Sequence, residues 1–333
     1  MDRSKNQLLK SALSRRTFLA GAGSVAAGAV VAGCGGNSST ITVTPPVTVT
    51  TYNDVDILNF ALNLEYLEAE FYLRAATGSG LTAADAGASA GTVTGGTKVT
   101  GLSTAQQNIL NEIAYDEQQH VRFLRSALGS SAVSRPNIDL TAFNALAIAA
   151  GINTTGFNPF TTGGFDGFLV GAFVFEDVGV TAYNGAATLI STAGITSGYL
   201  AAAAGIMAVE AYHAAYVRTA LTAQAYLQGT TAYPYFGYAN KISTLRGSLG
   251  GGNETALSGP VATATTAVSA TPSAIVASDT TNAIAFHRTT DQVLHIVYGT
   301  FSNTAGSTTP AAGVTKGGFF PNGLNGNISA TLS

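Results

Sequence analysis

Charged side chains are scarce in this sequence. Asp, Glu, Lys and Arg together make up 10% of the 333 residues, well under half of the roughly 25% that is usual in soluble globular domains. Because 46% of the residues are hydrophobic, this scarcity does not indicate intrinsic disorder, which requires low hydrophobicity as well. The formal net charge of −3 leaves no basic field for nucleic acid, so we expect no nucleic-acid partner.

Cysteine is almost absent, and tryptophan is absent altogether. The single cysteine, Cys34, excludes a disulfide scaffold and any zinc or iron–sulfur site that is built from several cysteines. A chain of this length can bury a sizeable core in one domain that carries additional segments.

The first 33 residues are typical of a targeting signal rather than of a folded domain. An apolar run at 18–32, rich in Ala, Gly and Val, follows a basic segment that includes Lys5, Lys10, Arg15 and Arg16. This run is shorter than the about 20 residues that a permanent membrane-spanning helix needs. We therefore expect residues 1–33 to be a signal peptide that directs export and is removed.

Two short motifs within this segment indicate the kind of export. Residues 14–19 (SRRTFL) resemble the twin-arginine motif. Residues 31–34 (VAGC) resemble a lipobox, in which Cys34 receives a lipid and becomes the new N-terminus. The alternative is an ordinary secretory signal with an accidental arginine pair and cysteine. We predict an exported lipoprotein of the periplasm or cell envelope, anchored to a membrane through Cys34.

The rest of the chain predicts an all-α protein. Residues 34–53 are rich in Ser, Thr, Val and Pro and indicate a tether. Ser103 and Gln106 can form a capping box at the start of a helix. Helical periodicity predicts four long helices at 54–76, 104–128, 168–192 and 198–228, the last capped by Ser197, and shorter helices at 141–150 and 233–249.

The spacing of the long helices indicates how they are connected. The connection at 129–165 is long enough to run back along the whole second helix, so the second and third helices can lie parallel. We therefore predict a four-helix bundle over 54–228 with one long crossover connection. An irregular C-terminal extension follows at 229–333, with a low-complexity stretch at 250–280.

Each long helix carries one glutamate on its apolar stripe, and two helices add a histidine three residues later, on the same face. In chain order these residues are Glu65, Glu117 with His120, Glu176, and Glu210 with His213. Buried carboxylates without lysine or arginine are costly as bare charges, so they either stay protonated or bind cations. The imidazoles favour cations, and a carboxylate-rich set with two histidines suits iron or manganese better than zinc.

This set resembles the di-iron carboxylate site of ferritin-like proteins, in which two helices each supply a glutamate and two others each supply Glu-x-x-His. Residues 58–65 (LNFALNLE) are similar to the first helix of bacterioferritin. Residues 116–125 (DEQQHVRFLR) and 317–321 (GGFFP) resemble the desiccation-related ferritin-like proteins. The resemblance implies a ferritin-like fold that binds two metal ions, with iron as the expected metal and manganese as the alternative.

The resemblance also implies a role for each residue. The implied terminal ligands are Glu65 and Glu176, the bridging carboxylates are Glu117 and Glu210, and the imidazole ligands are His120 and His213. An internal repeat supports the assignment, because Tyr72 and Tyr183 each stand seven residues after a terminal glutamate. These tyrosines either pack in the core or interact with the ligands.

Neighbouring acidic residues leave alternatives open. Glu68 lies one turn after Glu65 and could bind metal in its place. Asp116 and Asp177 each adjoin a predicted ligand and are expected either to orient it or to be solvated.

Other polar and aromatic residues are expected to have no part in a site. His287 and His295 are interpreted as structural or exposed, and Glu70 with Arg74 as a solvated ion pair. The two phenylalanines of the motif at 317–321 are expected to be exposed on a loop.

Three functions are compatible with the sequence. The first is a redox-active di-iron or iron–manganese centre that acts on oxygen, peroxide or the metal ion itself. The second is a non-catalytic envelope protein, stabilised by metal, with a role in stress or desiccation. The third is a structural lipoprotein with a relic site. A homo-oligomer is compatible with each, but a large storage cage is disfavoured because the lipid tether and the extension would have to fit around its contacts.

Overall fold

The computed structural model describes residues 52–153, 157–258, 275–279, 281–299 and 312–332. The signal peptide, Cys34 and nearly all of the tether lie outside these residues. The described part contains nine α-helices and two short strands: α1 (Asp54–Thr77), α2 (Ala83–Ala86), β1 (Val93–Thr94), α3 (Thr104–Leu128), β2 (Ile138–Asp139), α4 (Phe143–Ala149), α5 (Gly164–Ala187), α6 (Thr192–Thr196), α7 (Tyr199–Gln228), α8 (Pro234–Leu249) and α9 (Thr290–Val297).

The four long helices α1, α3, α5 and α7 form a bundle of two hairpins. α1 packs chiefly against α3, and α5 packs chiefly against α7. A long connection that contains β2 and α4 joins the hairpins, and β2 pairs in parallel with β1, with Val93 opposite Ile138. The predicted all-α bundle with one long connection is therefore confirmed.

Local sequence explains where the first two long helices begin. The side chain of Asn53 accepts a hydrogen bond from the backbone of Asp56, whose carboxylate in turn accepts from the backbone of Asn53. Ser103 and Gln106 form the same reciprocal arrangement at the start of α3. Both arrangements are capping boxes, which pair backbone N–H groups that have no partner within the helix, and the second one confirms the prediction.

The second hairpin departs from its predicted bounds. α5 ends at Ala187 rather than at 192, because Ser191 caps the separate short helix α6. The predicted cap of α7, Ser197, has α-helical dihedral angles at the end of α6, and Gly198 is the N-cap instead, with φ of 87°. A positive φ favours glycine, so Gly198 makes the sharp change of direction between the two helices.

α7 is long and apolar enough to cross a membrane by length and composition. In this structure it instead packs against α5 and carries Glu210 and His213 into the bundle. Only 28% of its most apolar window is buried, so burial in the bundle accounts for one face of α7, and much of its apolar surface faces outward in the described structure.

The C-terminal extension contributes to the hydrophobic core rather than lying apart from it. α8 and α9 both pack against α5. Phe319 and Phe320 are 2% and 0% exposed, and the ring of Phe319 lies 5.0 Å from those of Phe143 and Phe175. The expectation that these two phenylalanines are exposed is wrong, because the loop that carries them folds over α5 and supplies apolar side chains to the core.

Candidate metal centre

The middle of the bundle brings together all six residues of the predicted metal-binding set, and it adds Glu68. We call these residues the carboxylate cluster: Glu65, Glu68, Glu117, His120, Glu176, Glu210 and His213. Each is at most 8% exposed. Because α1, α3, α5 and α7 each direct one face inward, residues one turn apart on a helix reach the same interior space.

The first group of ligand atoms surrounds the imidazole of His120. Its Nδ1 lies 3.2 Å from Glu65 Oε2, 3.4 Å from Glu117 Oε2 and 3.5 Å from Glu210 Oε1. One ligand atom from each of these four residues lies within 4.8 Å of the others. This spacing can hold one metal ion.

The second group surrounds His213. Its Nδ1 lies 3.0 Å from Glu117 Oε1 and 3.7 Å from Glu176 Oε2, and the three ligand atoms lie within 4.8 Å of one another. Glu117 therefore faces His120 with one oxygen and His213 with the other. A third group with the same spacing unites Glu68, Glu176 and Glu210.

The carboxylate cluster lacks hydrogen-bond partners for much of its polar surface. Each of its seven residues has at least one fully buried oxygen or nitrogen atom without a hydrogen-bond partner in the described structure. In the same part of the chain, no lysine or arginine forms an ion pair with any of its carboxylates. Buried polar groups are normally paired, so a set of acceptors converging on one space is suited to bind a cation.

Burial raises the pKa of several carboxyl groups in this cluster. The pKa of Glu65 is raised to about 8, chiefly by burial and against the opposing effect of His120. Burial and the neighbouring carboxylates, Glu210 first among them, hold the pKa of Glu68 well above its usual range. Without a cation, part of the cluster therefore stays protonated at neutral pH.

Glu117 and the two imidazoles behave in the opposite way. Burial alone would raise the pKa of Glu117, but His120 and His213 outweigh it and lower that pKa to about 2. Burial opposes the charged form of His213, yet Glu176 and Glu117 raise its pKa to about 10. In the metal-free protein, protons on the imidazoles thus partly replace the charge that a metal would supply.

Hydrogen bonds from outside the cluster orient its members. The hydroxyl of Tyr72 donates to Glu176 on α5, and that of Tyr183 donates to Glu65 on α1. The two tyrosines therefore interact with ligands as well as packing in the core, and they do so across the two hairpins. Such contacts fix the direction of a carboxylate before any metal binds.

Asp116 orients His213. Its Oδ2 lies 3.2 Å from Nε2 of the imidazole, on the opposite side of the ring from the cluster. A neutral imidazole that presents Nδ1 to a metal carries its hydrogen on Nε2, and Asp116 accepts that hydrogen. Of the two roles left open for Asp116, the orienting one agrees with this contact.

Three expectations for neighbouring residues can be compared with the structure. Glu70 is fully buried, where Arg74 and also Arg135 of the long connection pair with it, so the interpretation as a solvated pair is wrong. His287 is exposed. His295 is buried on α9 with Nε2 3.6 Å from Asp291, which agrees with a structural role.

A second buried group of charges was missed in the sequence. We call it the arginine cluster: Arg218, Arg246 and Arg288 with Asp177 and Glu254. Asp177 Oδ2 accepts hydrogen bonds of 2.9 Å from both Arg218 and Arg246. Two of these arginines belong to the C-terminal extension, to which no chemistry was assigned. One feature of the sequence could have indicated this cluster. Its arginines lie within apolar stretches of a chain that has few charged residues.

Comparison with known proteins decides the family. The sequence pattern of the ferritin-like domain matches residues 53–223, the stretch that contains the whole carboxylate cluster. The chain belongs to the ferritin-like family. It is 30% identical over 288 residues to the "Ferritin-like catalase Nec2" of Nesocodon mauritianus, covering 83% of this chain and 85% of that protein.

A desiccation-related relative supports the closer resemblance. The ferritin-like chain is 34% identical over 206 residues to the "Desiccation-related protein PCC13-62" of Craterostigma plantagineum. The match covers 60% of this chain and 63% of that protein. The predicted membership of the superfamily and the link to desiccation-related proteins are thus confirmed.

The donor set of this ferritin-like chain fits a metal centre. Its unpaired atoms are carboxylate oxygens and imidazole nitrogens, which together suit iron or manganese. The assignment of individual terminal and bridging ligands stays a prediction. The grouping of atoms agrees with bridging by Glu117, whereas Glu210 joins the His120 group to the group that contains Glu68.

Proposed function

We propose that the bundle binds two metal ions, one in the His120 group and one in the His213 group. The observation that carries the proposal is the carboxylate cluster itself, in which buried acceptors from all four long helices converge and no lysine or arginine of the described residues pairs with them. Glu117 would be shared by the two ions. Iron is the expected metal, and manganese is the alternative.

The metal pair would supply two-electron redox chemistry toward hydrogen peroxide, two molecules of which give two of water and one of oxygen. A relative whose printed name is ferritin-like catalase supports peroxide over other oxidants. The protein's own residues would hold the ligands in place. Tyr72 and Tyr183 fix Glu176 and Glu65 through hydrogen bonds, and Asp116 fixes the tautomer of His213.

Burial would have a chemical role as well. The cluster lies within an apolar bundle, where a low dielectric strengthens the interaction between ligands and cations. The buried surroundings also limit the escape of reactive species into solvent. The protein would thus provide coordination and a dry cavity, while the metals carry the electron transfer.

The experiment is metal loading followed by peroxide consumption. The full chain, purified in detergent and loaded with iron or with manganese, should hold about two ions and release oxygen from peroxide. Glu117→Gln should lose roughly 100-fold or more of this activity, since substitutions even outside the ligand set cost about 10–100-fold. The matched control is Glu112→Gln, because Glu112 lies on the same helix but is exposed. Full metal content without peroxide turnover would reject catalysis while leaving metal binding intact.

A second candidate is a non-catalytic protein that metal stabilises and that protects cells during drying. The relative whose printed name is desiccation-related protein favours it. In that case Glu117→Gln should lose metal and thermal stability, and cells that carry it should survive drying less well although neither form consumes peroxide. Equal survival of cells with and without the wild-type chain would reject this candidate.

The proposed place of action is outside the cytoplasm, at a membrane. Its support is the sequence at 14–19 and 31–34, and it predicts a lipid on Cys34. Replacing Arg15 and Arg16 by lysine should block export, and Cys34→Ala should release the protein from the membrane or stall its processing. Unchanged export of the paired-lysine variant through the general secretory route would reject the twin-arginine assignment.

A further inference from the structure

We propose that Glu68, Glu176 and Glu210 form a third cation position, next to the two positions that contain an imidazole. One carboxylate oxygen from each of the three residues lies within 4.8 Å of the other two, and all three residues are buried. The position would take a hard divalent cation, bound by carboxylate oxygens alone. It extends the dinuclear centre proposed above and rests on it.

Glu68 itself is the first reason. Its side chain is on the inner face of α1, it is 6% exposed, and its Oε2 has no hydrogen-bond partner in the described structure. Neither group that contains an imidazole includes it. A buried carboxylate that serves neither of those positions and has no donor for one of its oxygens is costly as a charge, and it is stabilised either by a proton or by a cation that binds there.

The second reason is the space opposite Glu68. Glu65 and Glu68 lie one turn apart on α1, and Glu176 and Gly179 have the same spacing on α5. A Cβ atom at position 179 would collide with Oε2 of Glu210 and would lie 3.5 Å from Oε1 of Glu68. The internal repeat therefore differs between its two halves, because the room that Gly179 leaves on α5 is filled by the carboxylate of Glu210 from α7. Oε1 of Glu68 on α1 reaches ordinary contact distance of the same point, so the absence of a side chain at 179 lets these two carboxylates approach each other.

The way in which the three groups share ligands is the third reason. Each pair of groups has one glutamate in common: Glu117, Glu176 or Glu210. The two oxygens of Glu210 divide between positions, since Oε1 lies near His120 and Oε2 lies beside Gly179. A carboxylate with two differently directed oxygens can bind two ions at once.

Charge determines how tightly the third position binds. The five carboxylates of the cluster carry one negative charge more than two divalent ions neutralise. A third divalent ion removes this excess and leaves a net positive charge, so we expect it to bind more weakly than the first two. Carboxylate ligands without imidazole favour Mn²⁺ or Mg²⁺ over zinc or copper.

The third position also adjoins a small cavity. Glu68 and Gly179 line this otherwise apolar cavity between α1, α5 and the C-terminal extension, which contributes Ile296 and Phe319. The imidazoles do not line this cavity. A cation at Glu68 would therefore lie between the cavity and the two inner positions.

The test counts manganese ions. The full chain in detergent is titrated with Mn²⁺ alone, and bound metal per chain is measured at equilibrium from the free Mn²⁺ that remains in solution. We expect three ions for the wild type and two for Glu68→Gln. A protein first loaded with two zinc ions should show the electron paramagnetic resonance signal of one isolated Mn²⁺, and Glu68→Gln should abolish this signal. Glu112→Gln, on the exposed face of α3, should keep three ions.

The other outcomes separate this proposal from the dinuclear centre. Two ions in both the wild type and Glu68→Gln would overturn the third position and leave the dinuclear centre standing. Two ions in the wild type and one in Glu68→Gln would show that Glu68 is a ligand of the dinuclear centre, which also overturns the third position. Fewer than one ion in the wild type would reject both proposals.

Discussion

Two buried clusters of charge meet on α5, and their burial is compensated in opposite ways. Glu176 belongs to the carboxylate cluster, whereas the next residue, Asp177, belongs to the arginine cluster. In the arginine cluster, acids and bases interleave, with Arg246 Nη2 and Arg288 Nη2 lying 2.9 and 2.6 Å from the oxygens of Glu254. The carboxylate cluster has only protonatable imidazoles to offset its acids.

Backbone groups complete the arginine cluster. Arg246 donates to the carbonyl groups of Phe173 and Val174 on α5, and Arg288 donates to the carbonyl of Asn253 and to the hydroxyl of Thr181. The polypeptide thus supplies partners for its guanidinium groups. Both clusters are buried, but the arginine cluster pairs acids with bases, whereas the carboxylate cluster gathers acids without a lysine or arginine. The excess of one charge is therefore the feature that marks a functional site.

The largest effect on stability is expected from a substitution in the arginine cluster. Asp177→Asn removes the carboxylate that Arg218 and Arg246 share and leaves three buried guanidinium groups with Glu254 as the one remaining acid of the arginine cluster. We expect a loss of about 3–5 kcal/mol in the free energy of unfolding, measured by denaturant titration, with and without metal alike. The exposed control Glu112→Gln should change stability by less than about 0.5 kcal/mol. If both variants lose the same amount, the arginine cluster is not a structural unit.

The second largest effect is expected from metal, which should stabilise the fold through the carboxylate cluster and not through the arginine cluster. An ion that binds only the folded state stabilises it by about 2.7 kcal/mol at a free concentration of 100 times Kd. The melting temperature should rise with added metal and fall again with a chelator. If the wild type melted at the same temperature with added metal and with a chelator, the carboxylate cluster would instead be a protonated polar core.

Replacing single glutamates of the carboxylate cluster by glutamine should change the stability of the metal-free protein in opposite directions. In the metal-free protein, Glu117→Gln removes the partner of both imidazoles and should cost about 1–3 kcal/mol. Glu210, whose pKa burial raises, should tolerate Gln without loss or with a gain in stability. Both variants should lose metal-induced stabilisation. Unfolding curves that show equal losses for both metal-free variants would contradict the inferred distribution of protons.

The pH dependence should also separate the two clusters. Folded Glu65 keeps its proton up to about pH 8, whereas an unfolded glutamate loses it near pH 4.3. His213 gains stability from its charged form below its ordinary pKa, and this gain is lost as pH rises toward about 10. Metal-free stability should therefore fall between pH 5 and 8, by about 1.4 kcal/mol per pH unit for each extra proton held.

Metal should reverse this slope, because its ligands must be deprotonated and its affinity rises with pH. The arginine cluster should add nothing to the slope, since guanidinium groups stay charged over this range. Melting temperatures of metal-free and loaded protein at pH 5, 6, 7 and 8 would measure the difference. A gap between the two forms that narrows as pH rises would contradict the assignment.

The two clusters also differ in how far the sequence alone could predict them. The six predicted ligands lie at helical spacings on apolar stripes, so periodicity and residue type were enough to predict that they share one interior space. The arginine cluster joins α5, α7, α8 and residues near 254 and 288, and local spacing says nothing about such a meeting. Glu70 was misinterpreted for the same reason, because Arg135 reaches it from the distant connection.

The smallest expected effect concerns the two tyrosines and compares the halves of the bundle. Tyr72→Phe removes a hydrogen bond to Glu176, in the His213 group, and Tyr183→Phe removes one to Glu65, in the His120 group. Each should cost about 1 kcal/mol and weaken a different ion, since neither tyrosine contacts the shared Glu117. Metal titration that resolves the two positions should show each variant affecting one of them. If both variants weakened the same ion, the two imidazole groups would not be separate metal positions.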